Sequence, residues 1–484
     1  MKFCQFVPLP FSSPDPLALQ RGPLRQKREI AIACREGIPA LPSRATLLSR
    51  AAQALAILVA AAAPLSANPV RPLANDFVAV GESPDPLNMP LYTPSILALP
   101  GGRLVAAYER GGTGRKDNAA YTFILTSDDH GRTWTQRAGL RMTHARLFAA
   151  GRSVWYLGHR GDLQIARSDD RGETWGPQVA LTQGQSWHQS ACNVWHTRGH
   201  VYLVMERRVG TENKAWPVGS LAPVLLRARE DADLAKRESW TFASELVFSD
   251  LIAGYKRNEP ELDFFGVPFF RQAYPGRHPV ATEPKRRTNS PMGWLETNVV
   301  QIVDPDHVWH DPSGRTFHLF MRAHTAGTGY AALAKVVEQP DGSMRTQLEQ
   351  VPSGKKALFV PMPGGQMRFH VCYDAKTKLY WLLSSQATDS MTRPDRLPPE
   401  RYDLPNNERH RLQLHFSRNM IDWCFAGLVA KTGSPKEARH YAAMDIDGDD
   451  LVILSRSGDA RAKSAHDGNL ITFHRVRNFR DLVY

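Results

Sequence analysis

The stretches SDDHGRTWT (Ser127–Thr135) and SDDRGETWG (Ser168–Gly176) begin 41 residues apart and are nearly one phrase written twice. Both fit S-x-D-x-G-x-T-W, with Ser127, Asp129, Gly131, Thr133 and Trp134 in the first copy and Ser168, Asp170, Gly172, Thr174 and Trp175 in the second. In such a spacing Ser and Asp side chains satisfy the free amides of a tight turn, Gly supplies a positive φ, and Trp pins the turn against a neighbouring sheet. Each copy follows a strand-like run, AAYTFILT (119–126) or LQIAR (163–167), so the pattern predicts strand, tight turn, strand. Two later copies are worn. FSRNMIDW (Phe416–Trp423) keeps the Ser and Trp with Asn for Asp and one residue fewer, and REDADLAKRESW (Arg229–Trp240) is fainter.

One hairpin motif in each unit of about 40 or more residues is what a β-propeller writes into a chain, because each blade is one small sheet and only stacked blades close a core. HVYLVMERR, TFHLFMRA, LYWLLSS, DLVILSRSG and LITFHRV agree, being short, β-branched or aromatic and bounded by Gly, Asp or Pro. No long amphipathic helix stands out. The reading is an all-β, six-bladed propeller of four-stranded antiparallel blades. Its blades would average about 70 residues, with insertions at Arg271–Thr288 and Asp389–Asn407, where Pro and charge concentrate.

A chain of 484 residues with 42% hydrophobic and 22% charged residues has ordinary globular composition. The block AAQALAILVAAAA (Ala51–Ala63), with Arg44 and Arg50 before it and PLSANP after it, reads as a secretory signal cleaved after Ala67. Its 13 residues are short for a membrane span, which needs roughly 20. Residues 1–67 are therefore expected to be a leader, in which a true start near Thr46–Leu48 would need a non-Met codon, and 68–484 the folded part, secreted or periplasmic. Removing the leader leaves 52 Lys and Arg against 45 Asp and Glu, net +7. The basic residues form no runs of the kind that bind nucleic acid or membrane, so neither partner is expected. Cys192, Cys372 and Cys424 remain, allowing at most one disulfide, and no Cys/His spacing of the zinc type occurs. No metal and no cofactor is expected. The acidic run DIDGDD (Asp445–Asp450) lacks the downstream Glu of an EF-hand loop and reads as a hairpin turn.

The repeated turn resembles the Asp-box of sialidases and their six-bladed propeller superfamily. The resemblance continues over most of the chain after residue 67, in short stretches that keep the family's order. LYTPSILALPGGRLVAAYERGGTGRKDNAAYTFILTSDDHG supplies Pro94, Ser95, Glu109, Arg110 and Asp117, and the likeness implies Asp117 as general acid/base. LETNVVQI and LFMRAH supply Glu296 and Arg322, implying a carboxylate that activates a nucleophile and a guanidinium that holds the substrate's carboxylate. ERHRLQLHFSRN and EARHYAAMDIDGDDLVILSRSG supply Arg411, or Arg409, as a further carboxylate ligand and Tyr441 as nucleophile. Taken alone, each of these reads as a turn cap, a surface ion pair or a packing residue.

The implied chemistry is consistent within itself. Sialic acids carry a carboxylate on the anomeric carbon, so a neutral phenol approaches it without the repulsion an Asp or Glu would meet. An ordinary phenol pKa of about 10 makes Tyr a poor nucleophile at neutral pH, and a close carboxylate must take its proton. Tyr-nucleophile sialidases are an exception to the paired-carboxylate rule of glycosidases. One departure matters: where the family's Y-R-I-P has its first clamp arginine, this chain has Tyr92. A charge-assisted hydrogen bond contributes roughly 1.5–3 kcal/mol, so its loss should weaken sialic-acid binding by about one to two orders of magnitude unless another residue substitutes, for which Arg110, Arg115 and Arg456 are the candidates. The expected partner is a glycan ending in an acidic sugar. Two alternatives stay open: a propeller glycosidase or lyase acting on a uronic acid, for which His188, His310, His324 or His370 offers a base, and a non-catalytic glycan-binding propeller.

Overall fold

The computed structural model describes residues 70–484 except 116–118, 189–191, 210–217, 252–263, 266–292, 324–328, 352–353, 355, 389–407 and 435–436. The leader, Asp117, His324 and the two expected insertions lie outside the described residues. Val70–Tyr484 forms one compact unit.

Six antiparallel sheets succeed one another along the chain, each with its first strand innermost. Blade 1 is Leu91–Leu99, Arg103–Arg110, Thr122–Ser127 and Thr135–Leu140; blade 2 is Thr143–Ala150, Ser153–Arg160, Asp162–Ser168 and Val179–Ala180. Blade 3 has two short inner segments, Trp187–His188 and Trp195–Thr197, on His200–Arg208, followed by Leu221–Arg229 and Trp240–Phe242. Blade 4 is Trp294–Val300, Thr316–Ala323, Tyr330–Glu338 and Met344–Gln347, with Phe359–Pro361 also paired to its third strand. Blade 5 is His370–Asp374, Leu379–Ser385, Arg411–Ser417 and Cys424–Lys431. Blade 6 takes Ala438–Asp447, Asp450–Gly458 and Leu470–Val476 from the C-terminal end, and its outer strand, Val78–Glu82, from before blade 1. That pairing fastens the ring. The fold is the six-bladed propeller that the repeated turn predicts.

The middle strands are buried on both faces because every blade packs between two others. Thr122–Ser127 and Leu379–Ser385 are buried throughout, and they read as continuous apolar runs rather than as alternation. The apolar clusters lie between blades, joining 1 with 2, 2 with 3, 3 with 4 and 5, 5 with 6 and 6 with 1.

A second ring, of polar groups, closes around the axis. The Ser95 hydroxyl accepts the Leu147 amide at 2.9 Å, and Arg146 Nη2 donates to the Val204 carbonyl at 2.6 Å. Asn193 and Asn298 each make paired side-chain-to-backbone bonds, to Val299 and to Phe369 and Val371. Arg368 Nη1 donates to the Ala442 carbonyl at 2.7 Å, and Asp445 Oδ2 accepts the Ala98 amide at 2.8 Å. Each side chain thus ties its inner strand to the next blade, and the last returns to the first. These strands surround an axial cavity of about 320 Å³.

Both copies of the repeated turn have the same bonding. Asp129 Oδ1 accepts the Arg132 and Thr133 amides at 3.0 and 2.9 Å, and Asp170 Oδ1 accepts the Thr174 amide at 2.9 Å. Trp134 and Trp175 donate to the Gly131 and Gly172 carbonyls. Asn419 performs Asp's role in the worn copy, accepting the Ile421 and Asp422 amides at 3.0 and 2.8 Å. The glycine is only half of the turn's left-handed character, since His130 and Arg171 before it also have φ 62°. Cys372 and Cys424 are free, and DIDGDD is a hairpin whose Asp447 and Asp450 pair with Arg475.

Candidate active site

Four inner strands slip register at the same level, within four residues of their starts. The slips leave Thr93, His144, Glu296 and Tyr441 with φ of 49°, 50°, 60° and 50°. A non-glycine residue held there costs on the order of 1–3 kcal/mol, and a bulge of this kind re-aims its side chain. Each bulge is gripped by a buried ionic group. Arg368 donates to the Tyr441 and Ala442 carbonyls; Glu206 accepts the Thr297 amide and hydroxyl at 3.1 and 3.0 Å. Glu109 accepts both the Thr93 hydroxyl and, at 3.4 Å, the His144 amide.

Tyr441 lies at the centre. Arg322 Nη1 donates to its hydroxyl and also to Glu296 Oε2 at 3.3 Å, so phenol and carboxylate share one guanidinium nitrogen. The guanidinium carbons of Arg322, Arg409 and Arg456 stand 5.7, 5.3 and 5.2 Å from the Tyr441 ring centroid. All three arginines are at most 4% exposed. Arg322 is fixed by the Gln366 carbonyl at 2.9 Å, and Arg409 Nη1 meets His440 Nδ1 at 2.9 Å. Arg456 lies over the Tyr92 ring at 4.2 Å, and the Tyr92 hydroxyl donates to Asp467 Oδ1 at 2.7 Å. Among the described residues, Arg409 Nε and Nη2 and Arg456 Nε have no hydrogen-bond partner.

The electrostatics follow from that crowding. Burial, with Arg456 and Arg322 beside it, pulls Arg409 down to about 9 against the opposing effect of Tyr441 and Glu296. Burial likewise lowers Arg456. For Arg322 burial acts in the same sense, but Tyr441 and Glu296 outweigh it and the guanidinium is raised. Burial raises the Tyr441 phenol despite the cations around it, so it is protonated at neutral pH. Buried cations with unused donors are receptive to an anion that enters with its own oxygens.

Glu296, Arg322, Tyr441 and Tyr92 thus meet at one end of the axis. Two expected ligands do not join them. Arg411 turns to Glu408 Oε1 at 2.6 Å and Thr388 Oγ1 at 3.2 Å, because the buried Glu408 carboxylate takes its charge; Arg409, two residues earlier, occupies the place by Tyr441. Arg110 lies on the Phe123 ring at 4.4 Å, drawn there by the apolar face of the adjacent strand. Arg115 pairs with Glu109 Oε2 at 2.7 Å, and Arg456 fills the space beside Tyr92. His310 bonds the Ile302 carbonyl at 2.9 Å, and His370 lines the axial cavity. The grips by Arg368 and Glu206 had no signal in the sequence beyond a charged residue among apolar ones, and Glu109, named there by the resemblance, had none for this role.

Fold and site together define a propeller with a cationic, anion-receptive mouth built around a tyrosine. No protein-family model matches the chain, and no curated protein matches it. Among solved structures it is similar to a Trypanosoma rangeli sialidase in complex with sialic acid, at 13% identity over 85% of this chain and 60% of that one, TM-score 0.46. It is also similar to a Penicillium chrysogenum α-L-arabinanase (12% identity, 85% and 99% covered, TM-score 0.43) and to the intramolecular trans-sialidase of Ruminococcus gnavus (11%, 85% and 98%, TM-score 0.43). At such values these are likenesses of fold and carry no argument about chemistry.

Proposed function

We propose that this chain is an exported exo-glycosidase that hydrolyses a terminal acidic sugar, of the 2-keto sugar-acid class, from a glycan. The observation that carries the reading is the Tyr441 phenol sharing Arg322 Nη1 with Glu296 while Arg322, Arg409 and Arg456 surround its ring. The three guanidiniums take the substrate's carboxylate, which offsets their mutual repulsion and places the anomeric carbon over the phenol. Glu296 accepts the phenol proton as the Tyr441 oxygen attacks that carbon; the glycosidic bond breaks, and Asp117 gives its proton to the departing oxygen. Water then attacks the tyrosyl glycoside, Asp117 takes the water's proton, and Glu296 returns its own to Tyr441. Two displacements retain configuration. Export, to the periplasm or outside the cell, rests on the apolar block 51–63.

A fluorogenic sialoside tested beside uronides and neutral glycosides decides the substrate class. Release from the sialoside supports the reading; release from only a neutral glycoside overturns it.

A further inference from the structure

The bulge that aims Glu296 and Tyr441 into the mouth recurs at His144, and no step above uses it. His144 Nδ1 lies 3.1 Å from His159 Nε2, and the His188 ring sits 4.6 Å from that of His144 and 6.4 Å from that of His159. The three imidazoles come from the inner and second strands of blade 2 and the inner segment of blade 3. His188 Nδ1 stands 3.5 Å from Glu206 Oε2, and the His144 amide points to Glu109. The cations facing His144 are Arg115 and Arg456. Among the described residues His159 Nδ1 and His188 Nδ1 are buried without a hydrogen-bond partner. All three side chains are nonetheless partly open.

What the trio suits follows from its charge. Burial, then the neighbouring imidazoles, hold His144 well below the ordinary imidazole range, and burial holds His159 at about 3. Both are neutral at physiological pH, and a neutral imidazole offers one donor and one acceptor, the complement of a hydroxyl. A second anion here would face Glu109 and Glu206, and a cation would face Arg115 and Arg456. No group of three His, Cys, Asp or Glu among the described residues has the geometry to hold a metal.

Resting on the function proposed above, we infer that His144, His159 and His188 form a subsite for an uncharged, hydroxyl-bearing part of the sugar acid, on blades 2 and 3, across the mouth from the arginines of blades 4 to 6. The substrate is then an acid with a single charge at one end and hydroxyls at the other.

Calorimetric binding of N-acetylneuraminic acid, intact and singly deoxygenated at each hydroxyl, tests this on the full chain. Wild type loses about 2- to 12-fold in affinity at one hydroxyl, the range of one neutral hydrogen bond. His144→Phe removes that one penalty and leaves those at the other hydroxyls. His159→Gln, a second variant in case the first fails to fold, reduces it. An unchanged pattern of penalties in a folded variant overturns the subsite while the parent reading stands. No binding of the intact acid to wild type overturns both.

Discussion

Arg456 reaches the mouth from the second strand of blade 6 and spans two rings, Tyr92 and Tyr441. A clamp of this kind needs guanidinium nitrogens around one carboxylate, and their source in the chain is immaterial to the chemistry. In the proposed clamp, with Tyr92 where the sialidases that the sequence resembles carry their first arginine, the third guanidinium arrives from the opposite end of the sequence. Arg456→Met should raise KM for an acidic sugar by about one to two orders of magnitude, the loss of one charge-assisted bond, with a smaller change in kcat. Arg411→Met, whose guanidinium is taken up by Glu408, should leave both within about twofold. Steady-state kinetics on the same sialoside checks both, and the reverse ranking would return Arg411 to the clamp. At this scale the residue types were legible in the sequence and their partners were only partly so. Tyr441, Glu296 and Arg322 sit in recognisable text, whereas the choice between Arg409 and Arg411 depends on which way a strand's first residues turn.

At the scale of elements, the turn and the bulge behave differently as signals. The turn repeats its residues because its own Ser, Asp and Gly supply its bonds, and so it could be read directly. The bulge repeats only its geometry: Thr93, His144, Glu296 and Tyr441 share no side-chain chemistry, and each bulge is held by a group distant in the chain. Nothing local marks it. The turn allows a pH prediction. The Thr174 hydroxyl and amide, aided by the Ser168 hydroxyl, hold Asp170 at about 2 against the small opposing effect of burial. Its folded pKa is below the unfolded value of about 3.9, so its support is complete above pH 4 and fades as pH falls through about 2. Asp170→Asn should therefore be less stable than wild type by a constant amount from pH 5 to 8, with the difference closing towards pH 2. Urea unfolding midpoints at each pH measure it. A difference that persists undiminished at pH 2 would show that the carboxylate's charge is not what the turn uses.

For the whole molecule, six blades closed by Val78–Glu82 bring residues more than 300 positions apart in the chain, such as Tyr92 and Asp467, within 2.7 Å. Blade number and type were readable because the repeat has a period and the middle strands have continuous apolar text. The polar ring around the axis was not, since Ser95, Arg146, Asn193, Asn298, Arg368 and Asp445 act only once the blades are side by side. The bond that returns blade 6 to blade 1 is titratable. Burial raises Asp445 to about 6, more than the Ala98 and Ile446 amides lower it. A carboxyl with a raised folded pKa contributes stability that is full below about pH 4 and is lost as pH rises through about 6. Asp445→Asn, which does not titrate, should gain on wild type between those values by on the order of 2 kcal/mol, seen as a rise in relative Tm from pH 4 to 7. A pH-independent difference would place the Asp445 carboxylate in water rather than against the axis.

In the reaction proposed above, the ring, the bulges and the arginine cluster serve one event, attack by a phenol on a carbon that bears a carboxylate. Peptide mass mapping after reaction with a 3-fluorinated sialosyl fluoride, which forms the glycosyl-enzyme quickly and loses it slowly, tests that event most directly. The sugar is predicted on Tyr441, in wild type and not in Tyr441→Phe; attachment to Glu296 or Asp117, or turnover of a sialoside by Tyr441→Phe at the wild-type rate, would contradict it.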